Sequence, residues 1–460
     1  MIALFDLNSS FEFDLFLFTS INKKSYKLNG DPMNPRLYLS ILITLVSLCF
    51  PSINVHAQAT LSPTDHCRDF SADAIVTFAD SDLAEVVNDA LGLDVQAPLR
   101  CRQAAQLERL AVTATSERVV YGGTLRPARP PSAQAFESLD GIHNLTGLTA
   151  LILFDRLITD ISPLRYLTNL TNLTLHTNWI SDIEPLSGLV NLEQLIISEN
   201  PISDIGPLAG LTKLRQLHVH GLYPNQLQYW LDMDDGRDPD VVFNGITDIS
   251  PLAGLTELRL LRIHLNAISD ISPLANLTNL IHLRLYDNQI EDISALADLN
   301  KLVLLWAHGN QIEDISPLSG MSEMQQLSLN DNGISDIGAL GNMTEMEHLF
   351  LSDNTIEDIA PLRRLQALEV LRLENNDITD VSALAGLNQL RELSLARNWS
   401  LYDVQPLLRN ASIGAGDELD LRFTAVRCSD MDAFANRGVT LLRVTTVNGS
   451  GCPGRRLEDP

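Results

Sequence analysis

LTNLIHLRLYDNQIEDISALAD, residues 277–298, runs without a break into LNKLVLLWAHGNQIEDISPLSG, residues 299–320. The apolar residues Leu277, Leu280, Leu283, Leu285, Ile290, Ile293 and Leu296 of the first copy all recur as apolar residues at a shift of 22, and Asn288 recurs as Asn310. Leu283 and Leu285 alternate as in a strand, whereas the D-I-x-A-L-x-x-L part recurs at threes and fours as in a tight helical turn. One copy therefore reads as a short strand, a turn and a short return segment.

Worked outward, the same phase holds along most of the chain. The second leucine slot is occupied by Leu151, Leu173, Leu195 and Leu217, lapses at Pro239, and resumes at Leu261, Leu283, Leu305, Leu327, Leu349, Leu371 and Leu393. The asparagine slot holds Asn178, Asn200, Asn244, Asn266, Asn288, Asn310, Asn332, Asn354, Asn376 and Asn398, with Arg156 and Leu222 as exceptions. An amide there both donates and accepts, so it can satisfy backbone groups of its own turn and of the neighbouring one. Repeats of this size cannot bury their apolar face alone and must stack into one elongated domain. Across residues 220–243 the pattern gives way, yet the phase resumes after two periods. A divergent repeat is expected, with a helix over 225–233 and Val241 re-entering the sheet. Asp232, Asp234, Asp235, Asp238 and Asp240 crowd that stretch, and their spacing does not match the helix–loop–helix calcium pattern. A solvated acidic loop is the expectation.

The pattern resembles the leucine-rich repeat family, in particular the 22-residue I-x-D-I-x-P-L type of bacterial internalins and eukaryotic phosphatase-regulatory homologues, over roughly Leu139 to Leu421. The resemblance implies an α/β repeat fold: a curved solenoid with a parallel sheet on the concave side, 3-10 segments on the convex side, and a cap at each end. Asp160, Asp182, Asp204, Asp248, Asp270, Asp292, Asp314, Asp336, Asp358 and Asp380 stand where a carboxylate could cap each 3-10 segment. Pro163, Pro185, Pro207, Pro251, Pro273, Pro317 and Pro361 fall in its first turn, where a missing N–H costs nothing.

The flanks divide accordingly. Residues 33–59 have the order of a secretory signal, with Arg36, the apolar run LYLSILITLVSLCF and an Ala57-Gln58-Ala59 cleavage site. Residues 1–32 precede it as a leader, and translation is expected to start at Met33. Residues 60–135 form an N-terminal cap and connection: the DSDLAEVVNDALGL segment, from Asp80, reads as an amphipathic helix stopped by Gly92, and residues 112–135 read as an irregular connection. Repeats occupy 136–410, beginning with a half repeat at Phe136, Leu139, Ile142 and Leu145. Residues 411–460 form the C-terminal cap, with a strand at 418–421, a helix at 429–437, Gly438 as its stop and a strand at 439–444. Cys67 and Cys101 precede the repeats and Cys428 and Cys452 follow them, so one structural disulfide is expected in each cap of an exported protein.

The net charge of −26 argues against nucleic acid and anionic membranes as partners. No serine-hydrolase elbow, phosphate loop or zincin helix is present, so no catalytic, metal or cofactor role is assigned. Function then rests on the outward strand positions. His176, His218, His220, His264, His282, His308 and His348 all fall there, out of 10 histidines in the chain. His218, His220, Arg262, His264, His282, Arg284, Tyr286, Trp306 and His308, continued by Phe350 and Arg372, make a His/Arg/aromatic patch on an acidic protein. The expected function is a secreted, periplasmic or cell-surface, monomeric, non-enzymatic scaffold for a protein partner, with no membrane insertion after signal removal. A glycan-binding or envelope-structural role, with aromatics stacking on sugars, is the alternative. Contributing histidines would make affinity vary between about pH 5 and 7.5. Asn144, Asn169, Asn172, Asn276 and Asn342 lie in glycosylation sequons, which the repeat itself generates.

Overall fold

The computed structural model describes residues 59–112, 136, 138–221 and 245–442, with the backbone of two hairpins, Lys27–Leu28 with Asp31–Pro32 and Arg118–Tyr121 with Thr124–Pro127. Two units are distinguished, Met1–Gln58 and Ala59–Pro460. Apart from Ala59 and the first hairpin, the leader and signal readings lie outside the described residues, as do the acidic stretch and helix expected at 225–240.

In the second unit the L-x-L motifs become strands, because alternating leucines bury one face of an extended segment and leave the other free. These are β1 (Arg109–Val112), β2 (Ala150–Leu153), β3 (Asn172–Thr174), β4 (Gln194–Ile196), β5 (Gln216–His218), β6 (Leu260–Arg262), β7 (His282–Arg284), β8 (Leu304–Trp306), β9 (Gln326–Ser328), β10 (His348–Phe350), β11 (Val370–Arg372), β12 (Glu392–Ser394), β13 (Glu418–Asp420) and β14 (Thr440–Leu441). They lie in chain order in one 14-stranded parallel sheet. The register pairs equivalent slots, Leu261 with Leu283, Leu283 with Leu305 and Leu305 with Leu327. This is the leucine-rich repeat solenoid that the resemblance implies.

The return segments are 3-10 turns such as Ser272–Leu274 and Ser294–Leu296. In each, the aspartate two residues before accepts from the first free N–H: Ser272 N to Asp270 Oδ1 is 2.8 Å, and Ser294 N to Asp292 Oδ1 is 2.7 Å. The same bond recurs at Asp160, Asp182, Asp204, Asp248, Asp314, Asp336, Asp358 and Asp380, and once more at Asp403, where the repeat is one residue longer. The expected caps are therefore carboxylate caps in fact.

Buried asparagines join one turn to the next. Asn288 Oδ1 accepts from Ile268 N at 3.1 Å, while its Nδ2 donates to Leu285 O at 2.7 Å and Ile263 O at 3.2 Å. Asn178, Asn200, Asn310, Asn354, Asn376 and Asn398 repeat the arrangement. At the exception, Arg156 N donates to Asn178 Oδ1 at 3.0 Å and the Arg156 guanidinium lies 5.7 Å from the Phe136 ring, tying the half repeat to the array. The residue before each asparagine turns the chain through positive φ, as in Asp287 (53°), Asp331 (52°), Asp353 (56°) and Asn375 (52°). Aspartate and asparagine tolerate that conformation better than most side chains. Gly309 fills the same slot at 63°, and a Cβ there would stand 2.3 Å from Asp287 Oδ1.

One expectation is corrected. β5 pairs directly with β6, Leu217 against Leu261 and His218 against Arg262, so no strand lies between them; Val241 itself lies outside the described residues. The physical reason lies in the backbone: Val219 N donates to Arg262 O at 2.9 Å and Gly221 N to His264 O at 3.1 Å, so β5 spends its bonding edge on β6.

Both caps form. Helix α1 (Ser81–Ala90) is capped by Asp80, whose side chain accepts from Leu83 N, and Leu83 and Val87 are buried. β1, which the repeat pattern does not foretell, covers the edge of β2. Cys67 and Cys101 are bonded, with Cα atoms 5.5 Å apart. Cys67 N donates to Asn144 Oδ1 at 2.7 Å, and Asn144 Nδ2 donates to Asp65 O at 3.0 Å, clipping this cap onto the half repeat. Asn144 is 2% exposed with both amide atoms engaged, which leaves its sequon no room for a glycan. At the other end, α2 (Cys428–Asn436) buries Met431 and Phe434, and Gly438 takes φ of 84°. Cys428 is disulfide-bonded, and Cys452 lies outside the described residues.

Removing the Asn288 amide strands one N–H and two carbonyls in the core. Asn288→Ala is expected to lower unfolding free energy by about 2–4 kcal/mol, measured by urea denaturation. At Gly221 a Cβ would lie 1.9 Å from Leu265 O. Gly221→Ala should therefore part β5 from β6 and turn a single unfolding transition into two, read by calorimetry.

Candidate partner-binding face

On each strand the residues flanking the buried leucine point away from the core. In-register pairing turns the central position into a row: His218, Arg262, Arg284, Trp306, Ser328, Phe350, Arg372. Two residues further along each strand lies a parallel row, His220, His264, Tyr286, His308 and Asn330. Adjacent positions in a row are ~4.8 Å apart, close to the spacing of stacked rings.

The rings use that spacing. His220 and His264 stack at 4.1 Å between centroids, His264 and Tyr286 at 4.0 Å, and Tyr286 and His308 at 4.4 Å, with interplanar angles of 16°, 20° and 9°. Toward the N-terminal cap, Phe154 and His176 stack at 5.1 Å. The direct β5–β6 pairing makes the run from His220 to His308 continuous, with no intervening strand. Stacking hides its members: His264 is 1% exposed and Tyr286 7%, although both stand on the outward side; His218, in the neighbouring row, is 7% exposed as well. What remains open to a partner is Arg262, His282, Arg284, Trp306 and the edge of His308.

Arg284 lies with its Cζ 4.0 Å from the Trp306 ring centroid, a cation on an aromatic face. No hydrogen bond or ion pair holds its guanidinium among the described residues. The Trp306 indole N–H is occluded and has no acceptor there either. Beyond them the face changes character. Ser328 Oγ and His308 Nδ1 share a hydrogen bond of 3.0 Å, Ser352 donates to Glu374, and Arg372 Nε donates to Glu392 Oε1 at 2.8 Å. Phe350 and Arg372 are therefore brought onto the same face but stand across β9 from Trp306. The sequence reading passes over Ser328; its signal is a small residue between Trp306 and Phe350 in an otherwise bulky row. No group of three or more His, Cys, Asp or Glu among the described residues could hold a metal ion.

Burial acts strongly on the imidazoles. It pushes His218 down to about 3, His220 to about 4 and His264 to about 2, with the neighbouring Arg262, Arg284 and His charges acting in the same direction. The expectation of titration between pH 5 and 7.5 is overturned for these three, because a buried imidazole beside arginines and other imidazoles cannot hydrate a charge. His282 and His308 are lowered by burial as well. In an unfolded chain the rings take protons below about 6.5. Stability is therefore full above about pH 6.5 and is lost as pH falls toward the folded values of about 4, 3 and 2, where the unfolded chain alone binds protons. Thermal melts from pH 7.5 to 4.5 should show Tm falling below pH 6.5 in the native protein, and falling less when His218, His220 and His264 are all replaced by Gln.

The family described as Leucine Rich repeats (2 copies) matches residues 278–320 and 322–364. The chain is similar to the solved structure of the internalin InlF of Listeria monocytogenes at 32% identity, with a TM-score of 0.66, over 79% of this chain and 95% of that one. The functional domain of Listeria monocytogenes InlJ shares the fold at 19% identity and a TM-score of 0.60, over 80% of this chain and 69% of that one. A search of curated proteins gives no match. Repeat, register, caps and similarity to InlF agree: this chain belongs to the internalin family of leucine-rich repeat proteins.

Proposed function

We propose that the chain is an exported, non-enzymatic scaffold that holds a protein partner on the outward face of its sheet, around Arg284 and Trp306. One observation carries the reading. On a chain of net charge −26, the central strands present an arginine with no protein acceptor among the described residues, stacked on a tryptophan whose N–H has none. Arg and Trp are the side chains most enriched where interfaces gain their affinity. The row beneath them is rigid, since stacked rings on paired strands have few conformations left to lose on binding. Kinship with InlF and the secretory order of residues 33–59 support a secreted, periplasmic or surface location. Among the described residues, no helix is long and apolar enough to cross a membrane.

A sugar-binding role draws on the same aromatics, but they are poorly disposed for it. Tyr286 has His264 on one side and His308 on the other, and Trp306 carries Arg284. Tyr286 has no free ring face for a pyranose, and Trp306 has one at most. Arg284→Ala and Trp306→Ala should each weaken capture of the partner, identified by crosslinking in the native host, by tenfold or more, leaving far-UV circular dichroism unchanged. Undiminished capture by both variants, or strong hits on a glycan array, would remove the reading.

A further inference from the structure

Along the central row, Arg284, Trp306, Ser328, Phe350 and Arg372 sit on five successive strands, each in register with the next. The order is symmetrical about Ser328: small residue at the centre, an aromatic on each side, an arginine outside each aromatic. Arg284 lies 4.0 Å from the Trp306 centroid and Arg372 lies 5.7 Å from that of Phe350. Arg284 covers Trp306 from the strand away from Ser328, while Arg372 stands on the far side of Phe350 with its guanidinium bonded to Glu392, so neither arginine covers the aromatic faces turned toward Ser328.

Trp306 and Phe350 spring from strands two apart, ~9.6 Å at the backbone. A planar ring between two others needs roughly 7–8 Å from outer ring to outer ring, so a gap of this width accepts one inserted ring with slight inward lean. The described residues place no ring contact between Trp306 and Phe350, and the residue between them in the row is Ser328. Ser328 is 6% exposed although it faces outward, as expected at the bottom of a narrow slot, and its hydroxyl is tied to His308. The slot has apolar walls, a polar floor and a cation outside each wall. Arg284 has its donors unspent among the described residues, and Arg372 shares its own with Glu392.

We propose that this slot receives one aromatic side chain of the protein partner, from an acidic segment whose carboxylates meet Arg284 on one flank and Arg372 on the other. The inference deepens the protein-binding reading and rests on it. An aliphatic side chain would leave the walls unfilled, and a basic segment would face two guanidinium groups. The anionic flank supplies the acceptor that Arg284 lacks, which is what charge complementarity asks of an interface core.

The test uses the full chain labelled with 5-fluorotryptophan. Its 4 tryptophans give four fluorine resonances, and that of Trp306 is assigned with Trp306→Phe. The probes are the blocked tripeptides acetyl-Glu-Tyr-Glu-amide, acetyl-Glu-Leu-Glu-amide and acetyl-Lys-Tyr-Lys-amide. The first should shift the Trp306 resonance saturably, and the other two should bind at least fivefold more weakly. Ser328→Phe fills the slot with the chain's own ring and should abolish the response, whereas Ser328→Ala should keep it. Equal response to the leucine peptide, no saturable shift with the tyrosine peptide, or an unchanged response in a folded Ser328→Phe variant would overturn the slot. So would tighter binding of chitobiose at the same resonance. If partner capture is lost in Arg284→Ala but kept in Ser328→Phe, the slot fails while the binding face stands; if capture survives both, the face fails as well.

Discussion

A buried amide that bonds to two successive turns at once is the interaction on which the rest of this structure depends. Asn288 holds Ile268, Ile263 and Leu285 through three backbone bonds, and its equivalents do the same along the array. A turn tight enough to reverse the chain within a few residues leaves N–H and C=O groups facing inward, where water cannot reach them. Only a short side chain with both a donor and an acceptor satisfies them, which is why the slot is so uniform. The amide ladder also sets the pitch, since each asparagine must lie one coil from the backbone it serves. Strand register, and with it every row on the outward face, follows from that spacing.

Because the pitch matches the thickness of a ring, the outward rows behave as stacking tracks. Where consecutive residues are flat, as from His220 to Tyr286 and His308, they close into a continuous stack and bury one another. Where a small residue interrupts, as at Ser328, the run of flat side chains is broken. The histidines illustrate the cost of the closed track: packed between rings and beside Arg262 and Arg284, they remain neutral where free imidazoles would charge. They are part of the floor that supports Arg284 and Trp306 rather than a titrating surface.

The caps solve a different problem. A stack of identical coils exposes an unpaired strand and open core at each end. At the beginning β1 covers β2 while α1 and the Cys67–Cys101 bond close over the core. At the end β14 and α2 finish the sheet. These pieces have no period to betray them. The helices were legible from their own caps and apolar faces, Asp80 and Gly92 in one case and Gly438 in the other, but β1 was not, because a lone strand of Arg109–Val112 carries no recurring signal.

By itself the sequence determined everything that recurs: the leucine and asparagine slots, the aspartate caps, the strand positions, and which side chains could leave the core. Those are local consequences of turn chemistry and apolar alternation, repeated until chance is no explanation. What only the tertiary structure decided is which coils are neighbours and what neighbours do to each other. Counting periods placed a strand between His218 and Arg262; the hydrogen bonds of Val219 and Gly221 joined them directly instead. The depressed histidines, the cation over Trp306 and the bond of Ser328 to His308 all arise from contacts across strands that are about 22 or 44 residues apart in the chain. A period states that positions are equivalent, but only packing sets what stands beside each of them.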